Sequence, residues 1–351
     1  MTEMMKAAVM YGPNDIRYED VEKPACPKDG FLLKVNAVGL CGSDIRNLTT
    51  DSCKGNYPYI YGHEEVGTIV ELGADYKGNF KIGDRVFCPR QVPCMECYNC
   101  LDGHTENCTN YYEKVGGFAE YVDVEGKVLK AGWAQKIPDD IDDALATLGE
   151  PLSSVYSCQR KLDIHFPDTV VIIGAGPIGC FHVALAKRRG ASLVISIDIA
   201  DNRLQTTKAL GADYVINSKD EDPVARVMEI TGGRGVDHCI SANPATIAQQ
   251  QAIQMVKNGA TATFFGGVPK GTLTPLDTNL IHYKNMYVYG HFGASVMDMI
   301  NAYNLAIDPT FCGKQLVTHR MPLKDINKAL EIAKRGESIK IVLYPDESKI
   351  K

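Results

Sequence analysis

The chain has 351 residues, of which 45% are hydrophobic and 23% charged, with a formal net charge of -6. That length accommodates two domains with separate cores, and the acidic balance argues against nucleic acid or an anionic membrane as the main partner. The N-terminal Met-Thr-Glu-Met-Met-Lys reads as no secretory signal. The most apolar window, near Val170 to Ala186, is broken by Gly174, Gly176, Pro177 and Gly179, so it makes a poor membrane span.

Residues 1 to about 150 read as β-rich. Short β-branched runs at Phe31–Val38, Val66–Glu71, Asp84–Cys88 and Ala119–Val124 are separated by Gly, Pro, Asp and Asn. The rhythm then changes. Strands at Thr169–Ile173, Leu193–Asp198, Asp213–Ile216, Val236–Ser241, Thr261–Phe265 and Met286–Tyr289 alternate with helices at Ile178–Arg189, Arg203–Leu210, Pro223–Ile230 and Ile247–Lys257. This alternation predicts a doubly wound parallel sheet over 151–291. Beyond His291 a helix at Asp325–Lys334 and a strand at Lys340–Tyr344 are too little for a domain. The tail 292–351 is expected to pack on 1–150.

Twelve cysteines suggest metal binding before disulfides, in a reducing, cytoplasmic setting. Cys26, Cys53, Cys88, Cys158, Cys180, Cys239 and Cys312 are scattered and read as small buried hydrophobes. Cys94, Cys97, Cys100 and Cys108 are different. The spacing C-x2-C-x2-C-x7-C lets four thiolates close a tetrahedral shell around one Zn²⁺, which makes a structural site. A second metal constellation has mixed ligands from distant positions: Cys41, His63 with Glu64, and Glu150. Taken singly, Cys41 fits a buried core thiol, His63 a satisfied core histidine, and Glu150 an acid at a helix N-terminus.

A G-x-G-x-x-G pattern, Gly174-Ala175-Gly176-Pro177-Ile178-Gly179, follows the Thr169–Ile173 strand and opens a helix. Gly174 permits the tight turn, Gly176 lets a pyrophosphate approach backbone N–H groups, and Gly179 allows helix and strand to pack closely. Asp198 ends the next strand, where a carboxylate accepts from a ribose 2′-OH and repels a 2′-phosphate. NAD is therefore preferred over NADP, tempered by Arg203, which could pair with a phosphate.

Together, Cys41-Gly42-Ser43-Asp44, Gly62-His63-Glu64, the four-cysteine run, Gly117-Phe118-Ala119-Glu120-Tyr121, Glu150-Pro151-Leu152 and the glycine pattern resemble the zinc-dependent medium-chain alcohol/polyol dehydrogenase family. The sorbitol, polyol-phosphate and threonine dehydrogenase branch is the nearest in kind. The resemblance implies an α/β chain with a β-rich GroES-like catalytic domain (1–150 and 292–351) and a Rossmann domain (151–291), two Zn²⁺ per chain and NAD. It implies Cys41 and His63 as ligands of the catalytic zinc, with Glu64 and Glu150 as direct, exchanging or water-linked carboxylates. Asp44 is then the acceptor for the other ring nitrogen of His63, and Ser43 the first acceptor of the substrate proton.

Arg46 stands where many relatives carry a relay histidine. Arginine stays protonated and cannot shuttle protons, so it reads either as a holder of an anionic substrate group or as an exposed structural side chain. The expected substrate is a sugar alcohol or its phosphate ester, interconverted with a ketose. The alternatives are L-threonine or a simple secondary alcohol. Relatives form dimers or tetramers, so a homodimer or homotetramer is expected, with no nucleic-acid or membrane partner.

Overall fold

The computed structural model describes residues 3–50 and 55–350; Cys53 lies outside the described residues. The chain divides into two compact units, Met1–Ser153 with Ala294–Lys351, and Ser154–Gly293.

In the first unit, seven of the described strands form one sheet. Its order is Gln135–Lys136, Arg85–Phe87, Glu64–Leu72, Phe31–Gly39, Lys340–Tyr344 and Val317–Pro322, with Tyr121–Val124 pairing off Phe31–Gly39. The central strand Phe31–Gly39 is buried at eight of its nine positions, because it has neighbours on both edges and core on both faces. Asp15–Glu22, Met4–Gly12 and Tyr59–Ile60 make a smaller antiparallel sheet. The tail is woven into the first unit. Lys340–Tyr344 runs antiparallel to Phe31–Gly39, Tyr303 stacks on Phe87 at 4.9 Å between ring centroids, and its hydroxyl donates to the Lys136 carbonyl at 3.0 Å.

Val317–Pro322, which was not expected as a strand, pairs parallel to Lys340–Tyr344. The helix Gly149–Lys161 was expected only as an N-terminus at Glu150, without an extent. Pro151 obscures it in the sequence, yet lies in its first turn, where the missing N–H has no intrahelical partner to lose.

The second unit is a six-stranded parallel sheet in the order Tyr214–Asn217, Leu193–Asp198, Thr169–Ile173, Val236–Ser241, Val256–Phe264 and Tyr287–Gly290. In chain order this is 3-2-1-4-5-6, the dinucleotide-binding arrangement, whose direction of winding reverses beside the first strand. Thr169–Ile173 is buried at all five positions, as a strand covered on both faces must be. One strand starts earlier than expected, at Val256 rather than Thr261, because Val256 pairs with Val236 across a register shift. The preceding helix correspondingly ends at Met255.

Candidate metal and cofactor sites

Cys41 precedes the helix Gly42–Thr49, with extended backbone at φ -87° and ψ 155°. Asp44, on the first turn of that helix, is 1% exposed. One of its oxygens, Oδ2, accepts the Cys41 N–H at 3.1 Å, while Oδ1 lies 3.1 Å from His63 Nδ1. One carboxylate thus sets both the backbone that presents the Cys41 thiol and the ring that presents His63 Nε2. Burial alone would lower the His63 pKa, but the Asp44 carboxylate, together with the Cys41 sulfur, holds it well above its usual value.

Glu64 follows on the strand Glu64–Leu72 and is fully buried. Both its carboxylate oxygens accept from Lys340 Nζ at 2.7 Å, and the same ammonium lies 3.3 Å from the Leu40 carbonyl. The strand order explains this pairing, since Phe31–Gly39 lies between the strands that carry Glu64 and Lys340. Gly39 is register partner to Glu64. A Cβ on Gly39 would stand 1.9 Å from Glu64 Oε2, so the carboxylate occupies the space a side chain there would take. Burial would lower the Lys340 pKa, and the Glu64 charge reverses that and raises it.

One ligand atom each of Cys41, His63 and Glu64 lies within 4.8 Å of the other two. A thiolate, an imidazole and a carboxylate at that separation suit Zn²⁺ and leave a position for an oxygen ligand. Glu150 is outside that set, in the first turn of Gly149–Lys161. Burial raises its pKa to about 7, opposed by His63 and Lys340 and reinforced by Glu64, so it shares the electrostatic field of the cluster. Ser43 is half-buried beside Asp44, and Arg46 is exposed.

The four-cysteine run forms the other cluster. Cys94 and Cys100 sulfurs are 4.0 Å apart, Cys97 and Cys108 3.9 Å, and Cys94 and Cys108 3.5 Å. A tetrahedral Zn–S₄ site with bonds of about 2.3 Å has edges of about 3.8 Å, so the four sulfurs are preset for a metal. Backbone N–H groups of Cys97, Cys94 and Asn110 point at these sulfurs from 3.3, 3.3 and 3.4 Å. Hydrogen bonds at Thr109 hold the Cys97 thiol down, at about 5, while burial pushes Cys100 up to about 12.

In the second unit, Gly174 has φ +109° at the tight turn after Ile173, and a Cβ on Gly179 would lie 1.7 Å from the Gly174 carbonyl oxygen. Both positions therefore require glycine. Gly176 faces open space at the start of the helix Pro177–Arg188, where Pro177 leads and Ile178 follows. The Asp198 carboxylate accepts backbone N–H groups of Ala175 at 2.7 Å, Ile199 at 2.8 Å and Ala200 at 3.0 Å, which fixes it at the strand end. Arg203 is half-buried on the helix Asp201–Ala209.

Lys340 and Gly39 are the site residues that sequence reasoning missed. The available signal was a lysine opening an otherwise apolar strand, Lys-Ile-Val-Leu-Tyr, buried throughout. A buried lysine requires a carboxylate partner.

Two family models match: the alcohol dehydrogenase GroES-like domain over residues 27–136 and the zinc-binding dehydrogenase over 177–308. Sorbitol dehydrogenase of Bacillus subtilis is 32% identical, covering 97% of this chain and 98% of that protein. L-threonine 3-dehydrogenase of Bacillus velezensis is 31% identical over 93% and 94%. Among solved structures, a zinc-binding dehydrogenase from Sinorhizobium meliloti bound to NADP superposes with a TM-score of 0.88 at 26% identity, covering 98% of this chain and all of that one.

Proposed function

The chain belongs to the zinc-dependent medium-chain alcohol dehydrogenase family, oxidoreductases acting on CH–OH groups, and within it we propose that the protein transfers a hydride between NAD(H) and a polyol–ketose pair. The observation that carries the reading is the mixed donor set of Cys41, His63 and Glu64, with the second acid Glu150 in its electrostatic field. A site rich in carboxylate rather than thiolate donates less charge to zinc and suits a substrate that binds through more than one oxygen. The likeness to sorbitol dehydrogenase supports it.

Zinc at this site would supply Lewis-acid chemistry, lowering the pKa of the substrate hydroxyl. The chain's own residues do the rest. Cys41, His63 and Glu64 would hold the metal. Asp44 engages His63 Nδ1, so that Nε2 is left to coordinate. Lys340 donates to both oxygens of Glu64 and fixes that carboxylate in place. Ser43 Oγ would take the substrate proton. In the second unit, Gly176 would leave backbone N–H groups open to a pyrophosphate, and Asp198 would accept from the ribose 2′-OH and repel a 2′-phosphate, a preference for NAD. Arg203 is the residue that would pair with a phosphate if the preference were the reverse.

Likeness to L-threonine 3-dehydrogenase at similar identity favours a second reading, oxidation of a 3-hydroxy amino acid. NADH production by the zinc-loaded protein on polyols, their phosphate esters, L-threonine and secondary alcohols separates the two. The polyol reading expects turnover of a polyol, and turnover of L-threonine alone overturns it. Loss of phosphate-ester turnover in Arg46→Ala would assign Arg46 to the phosphate.

We further propose a homodimer or homotetramer formed through the exposed edge strand Tyr287–Gly290. A cytoplasmic location fits the absence of a disulfide among the described residues. No helix among those residues is long and apolar enough to cross a membrane.

A further inference from the structure

Three side chains that the metal and dinucleotide sites do not use meet where the parallel strands Thr169–Ile173 and Val236–Ser241 begin. Gly174 and Asp198 stand at the other end of that sheet, where strands finish. Val170 is register partner to His238, so strand pairing sets that imidazole beside the turn that ends at Asp168. The turn is tight. The Asp168 N–H donates to the His165 carbonyl at 2.8 Å, and Asp168 Oδ2 accepts the His165 N–H at 2.9 Å.

Two ring nitrogens also converge on Oδ2. His165 Nδ1 and His238 Nε2 each lie 3.5 Å from it. A tetrahedral ion with bonds of about 2.1 Å to nitrogen and oxygen sets neighbouring ligand atoms about 3.4 Å apart, so both nitrogen–oxygen edges of a coordination shell are in place. The nitrogen–nitrogen edge remains, and His165 can close it. Its side chain is 61% exposed, so the ring is free to turn, and the hydrogen bond it gives up is that of Nδ1 with the Asp163 carbonyl. The His238 and Asp168 side chains are 13% and 15% exposed, and packing holds these two ligands still. His238 Nδ1 is buried, so its ring meets solvent on the Nε2 side.

The charges favour a cation. The carboxylates of Asp163, Asp168 and Asp237 act on the two imidazoles, opposed by Arg189, while Lys257 is tied to Asp237. Burial lowers the His238 pKa, which keeps this ring neutral near neutral pH, as a metal ligand must be. We propose that His165, Asp168 and His238 form a third metal site, for a divalent transition ion of the zinc, nickel or copper class. Two imidazoles suit such an ion, whereas magnesium and calcium prefer oxygen ligands. The ion would clasp the turn 163–168 to the strand Val236–Ser241, with water at its remaining positions.

Ni²⁺ is the probe. The untagged, full-length, zinc-loaded protein is dialysed to equilibrium against it, and both metals are counted by elemental analysis. One added nickel per chain is expected, with no zinc lost and no competition from Mg²⁺. His165→Gln and His238→Gln should each weaken uptake about tenfold or more. His165 is exposed, so the first variant folds whatever the outcome. No nickel beyond the zinc content overturns the proposal. Nickel gained at the expense of zinc also overturns it, since the ion then sits in the clusters already described. Uptake that His165→Gln leaves unchanged does the same and moves the ion to other exposed histidines, such as His104 or His282. Competition by Mg²⁺ overturns the imidazole class.

Discussion

Lys340 Nζ lies 2.7 Å from each carboxylate oxygen of Glu64, and both residues are almost wholly buried. The pair joins the last strand of the tail, Lys340–Tyr344, to the strand that follows His63. A carboxylate whose two oxygens both accept from one ammonium is preset in position but reduced in charge toward a metal. Lys340 therefore governs how strongly Glu64 can bind zinc as well as where it stands.

Removing the ammonium should be expensive. Lys340→Met leaves Glu64 buried and uncompensated, and is expected to cost about 3–5 kcal/mol of stability. Lys340→Arg should restore most of it. Urea unfolding of the three proteins checks this, and a Lys340→Met protein as stable as the parent would show that the pair carries no such weight.

Cys97→Ser should halve zinc content while leaving the Cys41 cluster loaded. The protein should lose stability, because a structural zinc contributes folding free energy directly. Elemental analysis reads the stoichiometry, and limited proteolysis within 93–109 reads the loosened loop.

Asp198→Asn keeps the shape and removes the charge. The ratio of kcat/KM for NAD over NADP should fall by about tenfold or more, since a charged acceptor is lost for one cofactor and a repulsion for the other. An unchanged ratio would move cofactor choice elsewhere, with Arg203 the first residue to vary.

Asp237 offers a test by pH. Its Oδ2 accepts from the Thr169 amide at 3.0 Å and hydroxyl at 2.7 Å, and Lys257 pairs with Oδ1. Burial would raise its pKa, but the Lys257 and Thr169 contacts win and lower it below 3.8. A depressed folded pKa stabilises the native state above the unfolded value, and that contribution is lost as pH falls through the folded one. Asp237→Asn should therefore cost about 1–2 kcal/mol near neutrality, and the gap to the parent should close as pH falls below about 4. Urea midpoints of both proteins against pH report it.

Much of the second unit was legible because its signals are local. Thr169–Ile173, Leu193–Asp198, Val236–Ser241 and Pro223–Ile230 form with the expected bounds, each an apolar run or amphipathic turn set off by Gly, Asp or Pro. Asp222 shows how such a boundary works: its side chain accepts the Val224 and Ala225 amides and starts the helix at Pro223. In the first unit the runs at Phe31–Val38, Val66–Glu71, Asp84–Cys88 and Ala119–Val124 and the strand Lys340–Tyr344 were legible as strands, and Cys94 to Cys108 and His63-Glu64 as dense motifs. The role of Lys340 was not. Lys340 pairs with a residue 276 positions away, and only the strand order beside Phe31–Gly39 brings the two together. Val317–Pro322 was obscured for a similar reason, since a short, half-exposed strand is specified by its neighbour more than by its own pattern.

The space left by Gly39 also orders the chain's possible histories. A Cβ at that position would lie 1.9 Å from Glu64 Oε2, so no descendant can gain a side chain at 39 while it keeps this acid in this pose. The acid must shorten or vanish first. A lineage that discards the carboxylate frees the position next to Leu40 to drift, whereas one that keeps it holds a glycine inside a strand, where glycine is otherwise a poor choice. Gly39 thus keeps a record of whether Glu64 is still in use.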